Sequence, residues 1–223
     1  MRHRPGVERP PESRAFVDGA LRDLRRSRWG PGAWAEFFWR CGLRSAEQAR
    51  GHPLAALEVT VFHAGLGMLG WGGLKLVISW MLAITHLGLL GPHRRSVGLP
   101  NLISLLRANL PTTRLAPLVA VSTDVADGWL ASRRSQTAFG AYADPLADVV
   151  FWTRHASAQE PSRLLGAAVI ATWVLPLAAI VSGYFAAGRA IDYPRPALVR
   201  RLSAALQCLL AVRTLTGRIK ESI

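Results

Sequence analysis

Residues 124–148, DVADGWLASRRSQTAFGAYADPLAD, decide how the rest of this 223-residue chain is interpreted. The stretch holds four of the chain's 14 acidic residues, in pairs spaced three and four positions apart: Asp124 and Asp127, then Asp144 and Asp148. On helices, each pair projects from a single face. The surroundings are apolar, and no Asp or Glu occurs at positions 59–123 or 161–191. Carboxylates there are costly unless they meet cations, so the pattern predicts a divalent-metal site.

Two features of the stretch bear on its ligands. Its metal ligands are all oxygens, because it contains no His or Cys, and this favours Mg²⁺ or Mn²⁺ over Zn²⁺. Gly128 and Gly140 would let backbone approach a ligand closely, although small residues also pack membrane helices together. An alternative for Asp144 is an N-cap, with Pro145 at the first helical position.

Composition indicates a membrane protein. Half of the residues are hydrophobic, yet the formal net charge is +13 and the pI is near 11.4. A soluble protein with this charge would suggest a nucleic-acid partner, but the long apolar runs favour an anionic membrane surface, and no nucleic acid is expected. The two cysteines form no CxxC or Cys/His cluster, so neither a disulfide nor a metal site is predicted. No apolar core of a cleavable signal peptide precedes residue 55.

The chain divides into two predicted regions, both helical. Residues 1–55 form a basic, partly disordered and amphipathic extension with helices near 13–28 and 33–50. Those helices either lie in the lipid headgroup layer or form a soluble hairpin. Residues 56–223 form a membrane-embedded, all-α bundle of five to six spanning segments. Its residues 54–91 contain one long helix or two hinged near residues 70–73, and residues 163–188 are its clearest span.

The motif resembles that of the CDP-alcohol phosphatidyltransferase family, D-x2-D-G-x2-A-R-x8-G-x3-D-x3-D. Seven positions match: Asp124, Asp127, Gly128, Ala131, Gly140, Asp144 and Asp148. The Arg of the pattern falls on Ser132, with Arg133 one place later, and the glycines are one residue closer together. Residues 101–110 also resemble the family's N-x-L-T-x-x-R segment, with Ser104 and Arg107 at its Thr and Arg positions.

One departure from the family concerns length. Family members commonly have a full span and part of another between the Arg of that segment and the first Asp, whereas 16 residues separate Arg107 from Asp124 here. We therefore expect one span to be missing or relocated, with residues 54–91 as its substitute.

The resemblance implies a metal-dependent enzyme of phospholipid biosynthesis. It would transfer a phosphatidyl group from a CDP-alcohol, with CDP-diacylglycerol as the expected donor, to an acceptor alcohol and release CMP. Two Mg²⁺ or Mn²⁺ ions would be held by the four aspartates, and Asp148 would also be the general base. The CDP moiety would contact a set of residues in the same stretch: Asp124, Asp127, Gly128, Ala131, Arg133, Gly140 and Asp144.

The resemblance also implies a multi-pass protein of the cell membrane, with its active site facing the cytoplasm, and a homodimer is a further expectation. Membrane lipids would be partners, and the acceptor alcohol is left open. Two other interpretations stay open: a catalytically degenerate protein that binds CDP-lipid or metal, and a membrane adaptor whose aspartates form a structural network.

Overall fold

The computed structural model describes residues 11–133, 137–190 and 196–216, apart from the side chains of residues 11 and 127–133. Within these ranges the chain is helical and contains no strand, which confirms the all-α prediction. The α-helices, in order, are α1 (Pro11–Arg26), α2 (Pro31–Gly51), α3 (Pro53–Met68), α4 (Leu74–Thr85), α5 (Leu99–Asn109), α6 (Ala116–Arg133), α7 (Ala138–Gln159), α8 (Arg163–Ala187) and α9 (Ala197–Leu215). A 3₁₀ helix, Leu87–Leu90, follows α4.

The N-terminal extension forms a helical hairpin that contacts the rest of the chain. Its turn contains Arg28 and Trp29, which adopt positive φ angles of 50° and 61°. The ring of Trp29 meets that of Phe185 edge to face, with centroids 5.7 Å apart. The Asp18 carboxylate also accepts a hydrogen bond of 2.6 Å from the backbone amide of Ala190. Helices α1 and α2 are therefore docked on the C-terminal end of α8.

Residues 54–91 hold two helices rather than one. Between α3 and α4, Gly70 and Gly73 have φ angles of 79° and 99°, a conformation that glycine adopts without steric cost. The helices are joined by the His63 ring, whose Nε2 lies 3.1 Å from Ser79 Oγ. The same hydroxyl accepts a hydrogen bond of 2.8 Å from Asn109 Nδ2 on α5. His63 thus serves helix packing.

Helix α5 lies at the centre of the bundle and runs parallel to α7. The pairs of contacting residues advance together along both helices: Asn101 with Thr137, Ser104 with Asp144, Arg107 with Asp148 and Leu110 with Arg154. Helix α6 returns along α5, since the turn after Leu110 leads into α6 and Asp124 lies beside Arg107. Both α5 and α6 are present, so the short interval between Arg107 and Asp124 is accommodated by helices of 11 and 18 residues.

Part of the outer surface is apolar. Helix α8 is the one helix in the described ranges that is long and apolar enough to cross a membrane, and 17% of its most apolar window is buried. A core helix of a soluble protein would be mostly covered. Large apolar side chains are also exposed on the other helices, for example Val61, Met81 and Leu209. Helix α8 contains Pro176, and α7 contains Pro145. Cys41 and Cys208 are free, as expected.

Candidate acidic site

Two of the predicted site residues converge on one buried arginine. The Arg107 side chain is 1% exposed, and its Nη1 donates a hydrogen bond of 2.7 Å to Asp148 Oδ1. The same nitrogen lies 3.2 Å from Asp124 Oδ1. Asp148 is 19% exposed and Asp124 is 66% exposed. The acidic faces of α6 and α7 therefore meet at the arginine of α5, and the cluster opens to solvent on the Asp124 side.

Helix α5 also holds Asp144, through Ser104, which lies one turn before Arg107. The Ser104 hydroxyl, which is 1% exposed, donates a short hydrogen bond to Asp144 Oδ1. The interpretation of Asp144 as a helix N-cap is wrong, because the helix begins earlier and Pro145 lies inside it. The N-cap is Thr137, whose Oγ1 accepts a hydrogen bond of 3.0 Å from the Gly140 amide. Asp144 is thus free of a capping role and faces α5.

Gly140 lies where α7 approaches α5 most closely. A Cβ atom at this position would stand 2.6 Å from Asn101 Oδ1, which no ordinary contact allows. The Asn101 amide cannot easily move, because its Nδ2 donates to Val97 O at 2.7 Å and the residue is 6% exposed. The structure therefore gives Gly140 a packing role. That role brings α7 close enough for Ser104 and Arg107 to reach its carboxylates.

The electrostatics of the cluster depend on opposite charges. Burial by itself lowers the pKa of the Arg107 guanidinium, since a charge is poorly solvated there. The carboxylates of Asp148, Asp124 and Asp144 outweigh that effect, and the pKa of Arg107 lies above its ordinary value. Arg107 therefore stays fully charged, and it partly neutralises the acidic group around it.

Four of the predicted site residues cannot be placed by side chain. The backbone of α6 includes Asp127, Gly128, Ala131 and Arg133, but their side chains lie outside the described residues. Among the described side chains, no three His, Cys, Asp or Glu residues converge on one ion position. Of the four aspartates predicted to hold two metal ions, the structure brings Asp124 and Asp148 to one arginine and places Asp144 beside the same helix.

The sequence pointed to the aspartates, and it identified Ser104 and Arg107 only as part of a segment that resembles one in the family, without predicting their contact with the aspartates. Asn101, Ser104 and Arg107 are spaced three apart, so they share one helical face, and all three are buried. Polar residues at that spacing in an otherwise apolar stretch were the available signal. The spacing could not show which residues these side chains contact, because the aspartates lie later in the chain and on other helices.

Comparison with known proteins agrees with this geometry. A family model described as CDP-alcohol phosphatidyltransferase matches residues 95–216, more than half of the chain. No curated protein and no solved structure matches it. The matched part begins just before α5, so it contains Arg107 and the four aspartates and leaves α1 to α4 outside.

Proposed function

The chain belongs to the CDP-alcohol phosphatidyltransferase family, and on this premise we propose that it transfers a phosphatidyl group from CDP-diacylglycerol to an acceptor alcohol, releasing CMP. The family transfers substituted phosphate groups from CDP-alcohols, and this chain carries the family's four aspartates. The single observation that carries the proposal is the convergence of Asp124 and Asp148 on one buried cation, Arg107.

The residues fit a divalent metal in the chemistry of their donors. Two carboxylate oxygens from different helices already approach one positive group, and a third carboxylate, that of Asp144, is held beside them. Asp127 follows Asp124 by three positions and completes the family's set. Oxygen ligands of this kind suit Mg²⁺ or Mn²⁺, and the family is generally dependent on divalent metal. When bound, two such ions would neutralise the pyrophosphate of the donor and the leaving CMP.

The protein's own residues then have separable tasks. We assign Asp148 the removal of the proton from the acceptor hydroxyl, whose oxygen attacks the β-phosphorus while the bond to CMP breaks. Arg107 is the positioning residue of this base, because its hydrogen bond engages Oδ1 of Asp148 and fixes the carboxylate. Oδ2 of the same carboxylate is not part of that bond and can take the proton. Ser104 orients Asp144 in the same way.

We place the nucleotide against the glycine-containing faces of α6 and α7. The set proposed for the CDP moiety is the one that the motif predicts: Asp124, Asp127, Gly128, Ala131, Arg133, Gly140 and Asp144. Because Gly140 is already closely covered by Asn101, its proposed contribution to the nucleotide is through the position that it gives α7.

The proposed enzyme is a multi-pass protein of the cell membrane with five to six spanning segments and with its site on the cytoplasmic side. The family is membrane-integral, and the exposed apolar surface of α8 supports a lipid environment. Three basic residues come shortly before the start of α5: His93, Arg94 and Arg95. Positive charge beside spans is typical of the cytoplasmic side. A homodimer is part of the proposal by family expectation alone.

A second candidate is a non-catalytic relative that binds CDP-lipid. The observation that favours it is the position of Arg107, which already neutralises Asp124 and Asp148 with a single buried charge. In such a protein the acidic cluster would be a structural element. It would bind CDP-lipid without breaking the pyrophosphate bond.

One experiment separates the two. The purified protein in detergent is incubated with CDP-diacylglycerol and a panel of acceptor alcohols, with Mg²⁺ or Mn²⁺ in one series and EDTA in the other. CMP release that requires both metal and one acceptor supports the transferase and identifies the acceptor. Folded protein that binds CDP-diacylglycerol but releases no CMP with any acceptor would contradict the proposal and favour the non-catalytic relative.

A further inference from the structure

Beyond the acidic cluster, α7 meets a second group of charges of the opposite sign. Arg154 follows Asp148 by six positions, about 9 Å along a helix axis. Its Nη1 donates to the carbonyl oxygen of Leu110 at 3.4 Å, and Lys75 Nζ of α4 donates to the carbonyl oxygen of Asn109 at 3.1 Å. Both cations thus bind the carbonyls at the C-terminal end of α5, where the helix dipole favours positive charge.

These two cations have no acidic partner. Among the described residues, no carboxylate lies within ion-pair distance of Lys75 or Arg154. Glu160, six positions after Arg154 at the C-cap of α7, is bound by Arg213 through both of its oxygens, at 2.9 and 3.0 Å. Lys75 and Arg154 bind the carbonyl oxygens of adjacent residues, Asn109 and Leu110, so both positive charges lie at the same end of α5. Two half-buried positive charges in an apolar protein are therefore balanced only by carbonyl dipoles.

An open pocket lies beside Arg154. Its volume is 390 Å³, and it is lined by Thr112, Thr153, Arg154, Ser157, Ala158 and Ile170. Three lining residues carry hydroxyls and two are apolar, whereas none is acidic. A guanidinium has five donor hydrogens, and the hydrogen bond that Arg154 makes to the described part of the chain goes to the carbonyl oxygen of Leu110. Donor hydrogens of Arg154 therefore remain for a ligand in the pocket.

We propose that this pocket binds a phosphate group, carried either by an anionic membrane lipid or by a small phosphorylated molecule. Arg154 would donate to the phosphate, and the Thr112 hydroxyl would add a polar contact. The Thr153 and Ser157 hydroxyls already donate to the carbonyl oxygens of Val149 and Thr153, so they would line the site without donating to the phosphate. Lys75, bound to the carbonyl next to that of Leu110, would add positive charge from outside the lining. The site lies on the side of Asp148 away from the end where the CDP group is proposed to bind. The proposal therefore does not rest on the transferase activity.

The shape of the pocket indicates how a lipid would enter it. Ile170 lies seven positions into α8, the helix whose apolar face is exposed, and Ala158 lies on the adjacent turn of α7. A phosphate with a hydrocarbon attached would place its charge at Arg154 and its chain along α8. A free phosphate would use the charged part alone, and the two sources differ in whether the apolar contact adds affinity.

The test is a thermal unfolding titration of the full-length protein in detergent with EDTA present, so that metal at the acidic site makes no contribution. The probes are dihexanoylphosphatidylglycerol, the zwitterionic dihexanoylphosphatidylcholine and inorganic phosphate. A ligand that binds the folded state raises the unfolding temperature. We expect the anionic lipid or inorganic phosphate to raise it with saturation, and we expect the zwitterionic lipid to have a weaker effect.

Variants of the pocket assign the effect. Arg154→Gln keeps a donor for the Leu110 carbonyl and removes the charge, so the apparent affinity should fall roughly tenfold or more, as for the loss of a charge-assisted hydrogen bond. Ser157→Asp places a carboxylate at an exposed lining position and should abolish the shift, with Ser157→Asn as its uncharged control. Arg163→Gln removes an exposed cation from the start of α8, outside the pocket, and should retain it.

The outcomes separate the sources and can overturn the site. Saturable stabilisation by the anionic lipid but not by inorganic phosphate, lost in Arg154→Gln and Ser157→Asp, identifies a lipid headgroup. Equal stabilisation by both, with the same losses, identifies a free phosphate. If neither probe shifts the wild-type unfolding temperature, or if Arg163→Gln loses the shift while the two pocket variants keep it, the site does not exist.

Discussion

Helix α7 carries two charged groups that differ in how their charge is compensated. At the acidic cluster, the carboxylate of Asp148 meets the buried guanidinium of Arg107, and opposite formal charges cancel. The second group is the pocket lined by Arg154, called here the basic pocket, together with the neighbouring Lys75. Within the described parts of the chain, the hydrogen bonds of Arg154 and Lys75 go to main-chain carbonyls, so their charge is oriented but not cancelled. A buried pair depends strongly on both partners. A cation held by dipoles keeps a net charge that a ligand can use.

The comparison also shows how the short α5 is accommodated. A helix that ends inside a bundle exposes carbonyls that must find donors. Lys75, Arg154 and Gln159 supply them, to Asn109, Leu110 and Thr112 in turn. The same helix presents Ser104 and Arg107 to the aspartates before it ends. Helix α5 thus contacts both charged groups. Its side chains bind the aspartates of the acidic cluster, whereas its C-terminal carbonyls bind Lys75 and Arg154.

The largest expected effect is catalytic and lies at the acidic cluster. Asp148→Asn keeps an oxygen that can accept the Arg107 hydrogen bond but cannot take a proton at neutral pH. We expect the rate of CMP release to fall by about 10²–10⁴-fold. The measurement is CMP release at saturating donor, acceptor and metal. An unfolding temperature within a few degrees of wild type is the control, and an unchanged rate would remove Asp148 from the chemistry.

The next effect is on stability. Arg107→Met leaves the largely buried Asp148 without its cation, and we expect a loss on the order of 3 kcal/mol in the free energy of unfolding. Arg107→Lys retains the charge and should recover part of that loss. Thermal unfolding in detergent without metal measures both variants. If Arg107→Met is as stable as wild type, the carboxylate is compensated by another group and the contrast with Arg154 disappears.

An intermediate effect is expected where α5 and α7 touch. Gly140→Ala would place a Cβ 2.6 Å from the Asn101 amide oxygen, and the overpacking should cost about 1–3 kcal/mol. Gly65→Ala is the matched control, because a Cβ on this α3 glycine meets nothing within 4 Å, and it should be neutral or slightly stabilising. Equal unfolding temperatures for the two variants would show that the helices can separate without cost.

The smallest effect is predicted for the basic pocket in the absence of ligand. Arg154→Gln keeps a neutral polar group in the open pocket and replaces a hydrogen bond that is long, at 3.4 Å, so the free energy of unfolding should change by less than about 1 kcal/mol. Arg154→Met cannot donate and should cost about 1–3 kcal/mol, the penalty for an unsatisfied carbonyl. A loss in Arg154→Gln as large as that in Arg107→Met would mean that the two charges are compensated in the same way.

Most of the secondary structure was predictable because it depends on local patterns. The break between α3 and α4 was predicted from its glycines, and the helices bearing the aspartates from their apolar flanks. The alternative of an N-cap at Asp144 could not be rejected from sequence, because Asp144–Pro145 is as good a local cap as Thr137. Tertiary packing decided between them: the helix continues through Pro145, and Asp144 is bound by Ser104.

The spacing of four acidic residues in an apolar chain was enough to predict helices, a membrane setting and a candidate site, since helix periodicity and the cost of isolated charge act locally. Of these, the helical class is confirmed. Only the tertiary structure decided which cation meets those acids. Arg107 and Arg154 have similar local surroundings, each an arginine within a short stretch of apolar and hydroxyl residues. One is buried against carboxylates and the other is not, because α5 is short and runs parallel to α7. Electrostatic partners are set by distance in space, which the order of residues along one helix does not fix.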